Sequence, residues 1–499
     1  MLITELLAER VARRGRHPFI LHDGRAVSYE EFDRLSNRAA HALRSLGVTT
    51  GDRVTLALGN SVEYLVTAFG VLKAGAVLHP VNPALGANEL GYILGHAEPR
   101  VIVSDAANLE NVRSLASGAT LLAFGSDAPD IGLDERLARS PDTAPGVAIR
   151  PDDASTLLYT SGTTGKPKGV LFRHHSTGAA SRHFIELLGI NRDDTIMAVT
   201  PLFHGNAWGA ACTALEAGGT FAFPKAFRAS EFWPLVHETR ATVLYTLGTI
   251  LAILLTQEPS DLERDNPLRV ILGLGSAPIR DRVMARFGVS DVAECFGSTD
   301  AGVVTMTPLG ATPRKGSAGP AVRGVSLRIV DDGGCPLPER AVGEILIESP
   351  HRMAEYFRDP EQTALALRDG WFHTGDLGYL DEDGWLYFVD RKRDVIRRGG
   401  ENMSSVLIEK TLCEHPAVAE AAVIGVPDPV LGQEVKAFIV AKAPVTADEL
   451  RAFASARLAK FQVPRLWEFR DALPKTPTQR VEKYKLRQEQ GGGAKPLLG

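Results

Sequence analysis

At 499 residues the chain is longer than one ordinary hydrophobic core, so two or more domains are expected. Hydrophobic residues make up 44% and charged residues 23%, as in a soluble globular protein, and 55 basic against 60 acidic residues give a net charge of −5. There is no basic block to indicate a nucleic-acid partner, and no stretch reaches the roughly 18 apolar residues of a membrane span. The four cysteines lie far apart, which disfavours a disulfide framework or zinc site and favours a reducing, cytoplasmic location.

The first hundred residues alternate between helix and strand patterns. Residues 1–14 predict a helix without the long apolar core of a secretory signal. Ser28 and Glu31 have the spacing of a capping box, and the helix that follows them is expected to end at Gly47. A second helix is predicted at 63–73, and strands are predicted at 54–58, 76–79 and 101–103. This alternation predicts a mostly parallel sheet with helices on its faces.

The rest of the chain predicts a second α/β layer and two smaller parts. Residues 106–150 have weak periodicity and are expected to be a connecting segment. Short runs of alternating apolar and polar residues within 316–348 predict a small antiparallel β unit. We therefore expect an α/β protein with a large N-terminal domain of two α/β layers plus this β unit, followed by a small mobile α+β C-terminal domain. The predicted bounds are 1–391, 392–490 and a flexible Gly-rich tail at 491–499. Strands of the second layer are predicted at 196–199, 220–223, 242–245 and 270–272.

The most informative stretch is residues 159–170, which read YTSGTTGKPKGV. Glycines let backbone N–H groups turn toward an anion, hydroxyls donate hydrogen bonds and lysines supply charge, so the stretch predicts a phosphate-binding loop. It is not a Walker A loop, because Pro167, Lys168 and Gly169 stand where that pattern needs Gly-Lys-Ser/Thr. The stretch resembles the phosphate loop of the adenylate-forming superfamily of acyl-CoA synthetases, luciferases and adenylation domains. That resemblance assigns nucleotide binding to Thr160, Ser161, Gly162, Thr163, Thr164 and Lys168.

Two later stretches resemble the family's acyl pocket. PLFHGN at 201–206 is similar to the segment whose His or aromatic side chain gates the substrate pocket, which makes His204 a candidate catalytic residue. No Asp follows Phe203 to pair a substrate amine, so an amino-acid substrate is disfavoured. GLGSAP at 273–278 resembles the loop that lines the acyl pocket and one face of adenine. The resemblance assigns the acyl pocket to His204, Trp208, Gly273 and Leu274, and adenine binding to Gly275, Ser276 and Ala277. The acid is expected to be apolar and bulky.

ECFGSTD at 294–300 resembles the family's aromatic-Gly-x-Thr-Glu motif. The resemblance implies nucleotide binding by Glu294, Phe296, Gly297 and Thr299, with Thr299 also catalytic. It also implies that the final acid holds magnesium. Here that acid is Asp300, one methylene shorter than the usual Glu, so its carboxylate is expected to reach the metal less well.

The C-terminal third carries the motifs for ribose and coenzyme A. GWFHTGD at 370–376 is similar to the stretch whose Asp accepts hydrogen bonds from both ribose hydroxyls, and Asp390-Arg391 is similar to the second ribose contact, which assigns Asp376 and Arg391. Arg393 occupies the hinge position. RRGGEN at 397–402 resembles the loop that lines the pantetheine tunnel. This assigns coenzyme A to Arg398, Gly399, Gly400 and Glu401.

The final motif departs from the family. Members place a Gly-Lys pair after Leu-Pro, and at that catalytic Lys position this chain has Arg480; Lys483 would serve only if the register slipped by three. Arg keeps the positive charge, but its planar guanidinium is bulkier than the ammonium of Lys. It is therefore not expected to replace that ammonium as a point charge between the substrate carboxylate and the α-phosphate. Because Arg480 and Asp300 both bear on adenylation, we expect an acyl-CoA ligase that forms thioester from acyl-adenylate, with its ATP-dependent step weak or lost.

Three alternatives remain open: a complete ATP-dependent carboxylate–CoA ligase, a non-catalytic nucleotide-binding protein, and a luciferase-like oxygenase. The cofactors implied by the resemblance are AMP or ATP and coenzyme A, with Mg²⁺ if adenylation is active. The expected partners are a small acyl group, coenzyme A and, for the main hypothesis, a separate enzyme that supplies acyl-adenylate.

Overall fold

The structure is a computed structural model of the chain. The described residues form two compact units: residues 1–160, 167–326 and 347–372 belong to the first, and residues 327–346 and 373–490 to the second. The residues that the structure describes are 1–116, 118–125, 132–160, 167–312, 314–392, 394–398, 401–429, 431–475 and 481–490.

The first unit contains an eight-stranded sheet that is parallel except at its two edges, where β2 and β14 run antiparallel to their neighbours. The strands predicted in the second layer lie here and are confirmed. In sheet order the strands are β14 (Gly302–Met306), β13 (Asp291–Ser298), β12 (Val270–Leu274), β11 (Val243–Leu247), β9 (Thr195–Ala198), β10 (Thr220–Ala222), β1 (Pro18–His22) and β2 (Arg25–Ser28).

A seven-stranded sheet of the same unit holds the strands predicted in the first hundred residues, which are also confirmed. The expectation that residues 106–150 form only a connecting segment was wrong in part. Thr120–Phe124 forms an edge strand of this sheet, because its apolar residues pair in parallel with Val101–Asp105. In sheet order the strands are β17 (Glu355–Tyr356), β8 (Lys168–Arg173), β7 (Ala154–Thr160), β4 (Val77–Pro80), β3 (Arg53–Ala57), β5 (Val101–Asp105) and β6 (Thr120–Phe124).

The remaining strands form two five-stranded sheets, here called the third and the fourth sheet. The predicted β unit is present in the third sheet, and the fourth sheet belongs to the second unit. The domain boundary after residue 391 stays a prediction. The third sheet orders β15 (Ser326–Val330), β16 (Gly343–Glu348), β19 (Trp371–Leu380) and β18 (Leu367–Arg368), with β20 (Leu386–Arg391) on β19. The fourth orders β22 (Glu401–Met403), β21 (Ile396–Arg398), β24 (Gly432–Ala441) and β23 (Val418–Asp428), with β25 (Leu466–Phe469) on β24.

In the described part of the chain, five helices begin at a capping side chain, namely Ser28, Ser61, Asp359, Ser404 or Thr446. The Ser28 hydroxyl accepts the N–H of Glu31 at 3.1 Å, which starts the helix predicted there. No described helix is long and apolar enough to cross a membrane. The helices are α1 (Ile3–Arg14), α2 (Tyr29–Ser45), α3 (Val62–Lys73), α4 (Ala87–Ala97), α5 (Leu109–Arg113), α6 (Leu133–Arg139), α7 (Ser181–Leu188), α8 (Gly205–Ala217), α9 (Ala229–Thr239), α10 (Gly248–Thr256), α11 (Asp261–Arg264), α12 (Arg280–Phe287), α13 (Pro360–Ala366), α14 (Ser405–Cys413), α15 (Ala447–Ser455) and α16 (Lys483–Glu489).

Candidate active site

The two ends of the predicted phosphate loop lie opposite each other. Thr160 ends β7 and Lys168 begins β8, and the two residues are paired across these antiparallel strands. Ser161, Gly162, Thr163 and Thr164 lie outside the described residues. The Lys168 ammonium donates to Oε1 of Gln362 at 2.7 Å and lies 4.8 Å from the centre of the Tyr356 ring. A strand pair therefore fixes where the loop leaves and re-enters the sheet.

The loop at 273–278 is held by the carboxylate of Glu294. One oxygen of Glu294 accepts the Gly275 N–H at 2.6 Å, and the other accepts the Ala277 N–H at 2.6 Å and the Ser276 hydroxyl at 3.1 Å. Burial raises the pKa of Glu294, and these hydrogen bonds, which lower it, offset only part of the rise. A Cβ on Gly273 would lie 2.8 Å from the Ser276 side chain, so a larger residue would disturb the loop. The structure thus brings the predicted residues Gly273, Gly275, Ser276, Ala277 and Glu294 together.

Thr299 and Asp300 lie in the tight turn that joins β13 to β14. Just before this turn, β13 requires a glycine at position 297, because a Cβ on Gly297 would lie 2.3 Å from the carbonyl oxygen of Gly302. The Thr299 side chain is exposed, and Phe296 is half-buried in β13. The main chain of the turn is held by the Met353 N–H, which donates to the Asp300 carbonyl oxygen at 2.7 Å. The turn therefore presents an exposed hydroxyl next to a carboxylate.

Tyr356 is a residue of this site that sequence reasoning missed. It is 9% exposed and pairs with Val170 in β8, and burial, together with the nearby charge of Asp300, raises the pKa of its hydroxyl. The same ring lies under the Lys168 ammonium. The predicted metal ligand and the predicted phosphate lysine thus lie near one tyrosine. A Tyr in a two-residue strand gives no local signal, since both of its charged partners are distant in sequence.

The residues assigned to the acyl pocket lie at the start of α8 and the end of β12. His204 immediately precedes α8; its Nε2 atom is buried without a hydrogen-bond partner among the described residues, and burial lowers its pKa to about 4. The ring is therefore neutral at pH 7. Trp208 contacts Phe69 of α3, with ring centres 5.7 Å apart. Leu274 ends β12 and is half-buried.

Two glycines of α8 face empty space. Apart from the adjoining backbone of α8 itself, no atom of the described residues lies within 4 Å of a Cβ built on Gly205 or on Gly209, one helical turn apart. Both follow the neutral His204 ring in sequence, so this end of α8 leaves room for a ligand.

In the second unit, the two predicted ribose residues lie opposite each other on β19 and β20. Arg391 Nε is 3.3 Å from Oδ1 of Asp376, which is 6% exposed. The neighbouring Asp390 has a different role: its Oδ2 accepts the Ser405 N–H at 2.6 Å and the Ser405 hydroxyl at 2.9 Å at the start of α14. Asp376 is therefore placed beside a fixed positive charge, while Asp390 holds the helix.

The predicted coenzyme A loop is described only in part. The Arg398 guanidinium binds Glu434 through two hydrogen bonds of 2.6 and 3.0 Å, with both side chains largely buried. Its charge is thus already paired, and its assignment to coenzyme A stays a prediction. Arg393, Gly399 and Gly400 lie outside the described residues, as does the side chain of Glu401.

The position of the catalytic lysine also lies outside the described residues, since it is Arg480. Lys483 is described, and its ammonium lies 2.7 Å from Glu409 Oε1 and donates to the Ser405 hydroxyl at 2.7 Å. These bonds occupy Lys483 in the interior of the second unit. The structure gives no support to the alternative in which Lys483 replaces the family's lysine.

Among the described residues, no group of three or more His, Cys, Asp or Glu side chains could hold a metal ion. Magnesium is usually held by one or two carboxylates together with substrate phosphates and water. The carboxylate of Asp300 is a donor of the kind that this ion prefers.

Comparisons with known proteins decide the family. The sequence model of the family described as AMP-binding enzyme matches residues 7–357, and that of the AMP-binding enzyme C-terminal domain matches residues 407–480. The chain belongs to the adenylate-forming superfamily of AMP-binding enzymes. This confirms the predicted family and α/β fold class.

Curated relatives of this AMP-binding enzyme are named as ligases and synthases. The chain is 34% identical over 485 residues to crotonobetaine/carnitine–CoA ligase of Salmonella paratyphi A, with 93% of each chain covered. It is 33% identical over 491 residues to feruloyl-CoA synthase of Amycolatopsis sp, with 97% and 98% covered. The ATP-bound structure of MatB from Rhodopseudomonas palustris is 30% identical, with a TM-score of 0.89 over 98% of this chain and 99% of that one. The enzyme is an acid–thiol ligase of the AMP-forming acyl-CoA synthetase type.

Proposed function

We propose that this enzyme is a complete ATP-dependent carboxylate–CoA ligase that carries out both half-reactions. The names of its relatives favour this over the loss of adenylation expected from Arg480 and Asp300. The observation that carries the proposal is that Lys168 and Asp300 both lie near Tyr356: the Lys168 ammonium is 4.8 Å from its ring centre, and burial together with the Asp300 charge raises the pKa of its hydroxyl. Charged groups for phosphate and for metal are kept close together in the first unit, as adenylation requires.

In the first half-reaction, a carboxylate oxygen of the acid attacks the α-phosphorus of ATP, and the bond to the β-phosphate oxygen breaks to release pyrophosphate. Lys168 offsets the negative charge of the phosphates, and the N–H and hydroxyl groups of residues 160–164 donate hydrogen bonds to them. The exposed Thr299 hydroxyl donates to an α-phosphate oxygen. Asp300 would hold Mg²⁺, which supplies positive charge to the phosphates when bound. Arg480 supplies the cation at the position of the family's lysine. Positioned charges of this kind are the main source of rate in phosphate chemistry.

In the second half-reaction, the thiol of coenzyme A attacks the acyl carbonyl and AMP leaves. We assign the pantetheine passage to Gly399 and Gly400, whose lack of side chains allows close approach of the ligand. Arg398 and Glu401 flank that passage. Rotation of the C-terminal domain, 392–490, about Arg393 would bring the passage to the acyl group. The remaining alternatives have less support, since no relative named above is an oxygenase or a non-catalytic protein.

The nucleotide is assigned to two groups of residues. Gly275, Ser276 and Ala277, fixed by Glu294, border adenine together with the ring of Phe296 and the main chain of Gly297. Asp376 accepts hydrogen bonds from the ribose hydroxyls, for which a carboxylate without donors is suited, and Arg391 holds it in place.

The acid is proposed to be uncharged beyond its carboxylate and bulky. His204 is neutral at pH 7, and Gly205 and Gly209 leave open space at the start of α8, where Trp208 and Leu274 add apolar surface. The feruloyl group in one relative's name suggests testing aromatic acids first, and crotonobetaine, whose quaternary ammonium adds a charge, tests whether the pocket excludes charged acids.

A ligase without adenylation is the second candidate, because Arg480 and Asp300 both depart from the family at that step. One experiment separates the two candidates. Pyrophosphate release is measured with a panel of acids, ATP and Mg²⁺, and acyl-CoA formation is measured from synthetic acyl-adenylates and coenzyme A. The complete ligase gives both products with the same acid, and the second candidate gives only acyl-CoA. A separate adenylating enzyme has no support from the relatives.

A further inference from the structure

The side chain of His96, in the last turn of α4, reaches the strand that carries Thr160. Its Nδ1 atom lies 2.7 Å from the hydroxyl of Tyr159, the residue that precedes Thr160 in β7. Burial, and after it the charge of Arg358, lowers the pKa of His96, so the ring is neutral at pH 7 and can accept the hydroxyl proton. This hydrogen bond joins α4 to the end of β7.

The imidazole of His96 is enclosed by other rings. The ring of Tyr92 is stacked on it, with centres 5.9 Å apart and an angle of 8° between the planes. The rings of Tyr159 and Phe357 meet it edge-on, with centres at 5.9 and 5.8 Å. The Arg358 guanidinium donates to the His96 carbonyl oxygen at 3.3 Å. The imidazole therefore has little freedom to turn away from the Tyr159 hydroxyl.

Tyr159 in turn fixes the part of the sheet next to Thr160 and Lys168. It pairs with Gly169 across β7 and β8, directly beside the pair formed by Thr160 and Lys168. A Cβ on Gly169 would lie 3.2 Å from the Tyr159 ring, so the ring packs on the Gly169 backbone. The Phe357 N–H donates to the Gly169 carbonyl oxygen at 2.7 Å. The Tyr159 ring and the Phe357 main chain thus hold the end of the strand pair that carries Lys168.

We propose that His96 is a positioning residue for ATP, which holds Tyr159 in place and thereby fixes Thr160 and Lys168 where they meet the β- and γ-phosphates. This deepens the proposed function and rests on it. His96 lies 63 residues before its partner in the chain and in no family motif, so only the folded structure brings the two together. Because AMP and the acyl-adenylate lack the β- and γ-phosphates, loss of this role should weaken the binding of ATP and spare both of them.

The test compares Tyr159→Phe and His96→Leu, each of which removes one partner of the hydrogen bond, with His96→Asn, which keeps an acceptor near the position of Nδ1. In the first two variants, the calorimetric Kd for ATP and the KM for ATP in pyrophosphate release should rise about 3-fold to 10-fold, the range for one neutral hydrogen bond. The affinity for AMP and the rate of acyl-CoA formation from synthetic acyl-adenylate should not change. His96→Asn should retain most of the ATP affinity.

Two comparisons separate this role from a general loss of structure. Tyr29→Phe is the matched control, because Tyr29 is a buried tyrosine whose hydroxyl donates to the Gly219 carbonyl oxygen at 2.6 Å, and its ATP affinity should match that of the natural protein. Combining Tyr159→Phe with His96→Leu should weaken ATP binding no further than His96→Leu alone, since both changes remove the same hydrogen bond.

The ATP affinities decide the role of His96 without any turnover. An unchanged ATP affinity in Tyr159→Phe and His96→Leu, an equal loss of AMP affinity, or no ATP binding by the natural protein would overturn the proposal. If the natural protein binds ATP but releases no pyrophosphate with any acid, the proposed function fails, and the ATP affinities of the variants still decide whether His96 positions the phosphate-binding residues.

Discussion

The ammonium of Lys483 lies 2.7 Å from Oε1 of Glu409, and the two side chains are 12% and 17% exposed. Such a pair is costly to break from one side, because the remaining charge stays buried. The same lysine donates to Ser405, which in turn donates to Asp390. The pair thus connects the last helix to the strand that carries Arg391, which gives Lys483 a structural rather than a catalytic role.

Lys483→Met should therefore lower the free energy of unfolding by about 3 kcal/mol, because it leaves the buried Glu409 carboxylate without its cation. Urea unfolding at pH 7 measures the change. Lys485→Met is the control: Lys485 pairs with Glu482 at the surface, with the lysine 45% exposed, and should have little effect. A stable Lys483→Met protein that had lost only pyrophosphate release would show that Lys483 is the catalytic lysine after all.

Asp376→Ala should weaken AMP binding by about 2 kcal/mol or more, since it removes both acceptors for the ribose hydroxyls and leaves Arg391 unpaired. Calorimetric titration with AMP measures the affinity. The exposed Asp471→Ala serves as control. Equal AMP affinities in the natural protein and Asp376→Ala would mean that the ribose binds elsewhere.

Glu294→Gln should loosen the 273–278 loop. The carboxylate accepts the N–H groups of Gly275 and Ala277 on its two oxygens, and an amide would point its own N–H₂ at one of them. We expect the KM for ATP to rise about 10-fold, with a loss of about 1 to 3 kcal/mol in stability. Steady-state pyrophosphate release at varied ATP provides the measurement. A variant with an unaltered KM for ATP would contradict the proposed link between this loop and the nucleotide.

Stability should fall in mild acid. Burial lowers the pKa of His204 from 6.5 to about 4, so between these values the unfolded chain binds a proton that the folded protein does not. His351, whose pKa is also lowered to about 4, acts in the same direction. The stability that comes from keeping these two histidines neutral in the folded protein is fully present above pH 6.5 and is lost as the pH falls toward 4. Urea unfolding gives the free energy of unfolding at pH 7 and at pH 5. The decrease between these pH values should be smaller for His204→Asn than for the natural protein. An equal decrease would show that His204 is accessible to protons.

Local patterns predicted much of the fold. The Ser28 cap and the apolar spacing after it placed α2, and the β-branched runs placed the central strands of both large sheets. The β6 strand was missed because five residues in an irregular segment carry too weak a pattern, and only pairing with β5 defines it. Pairing of this kind depends on residues that are close in space and not in sequence.

The site could be predicted where its residues fall in one continuous motif. Glu294 was placed at the nucleotide by its motif, but its hydrogen bonds to Gly275 and Ala277 needed the structure. The partners of Arg398 and Lys483 are charged residues on other elements, so the sequence could not tell that these two cations are already paired. Tyr356 was missed for the same reason.

The balance between the two half-reactions is the most direct test of the account. Pyrophosphate release should be followed with the acid that supports the fastest acyl-CoA formation from its synthetic adenylate, with ATP, Mg²⁺ and the natural protein. We expect pyrophosphate release to depend on the acid, ATP and Mg²⁺ together and to keep pace with acyl-CoA production when coenzyme A is added. Rapid acyl-CoA formation from the adenylate, with no pyrophosphate from the free acid, would contradict it and leave a ligase that has lost adenylation.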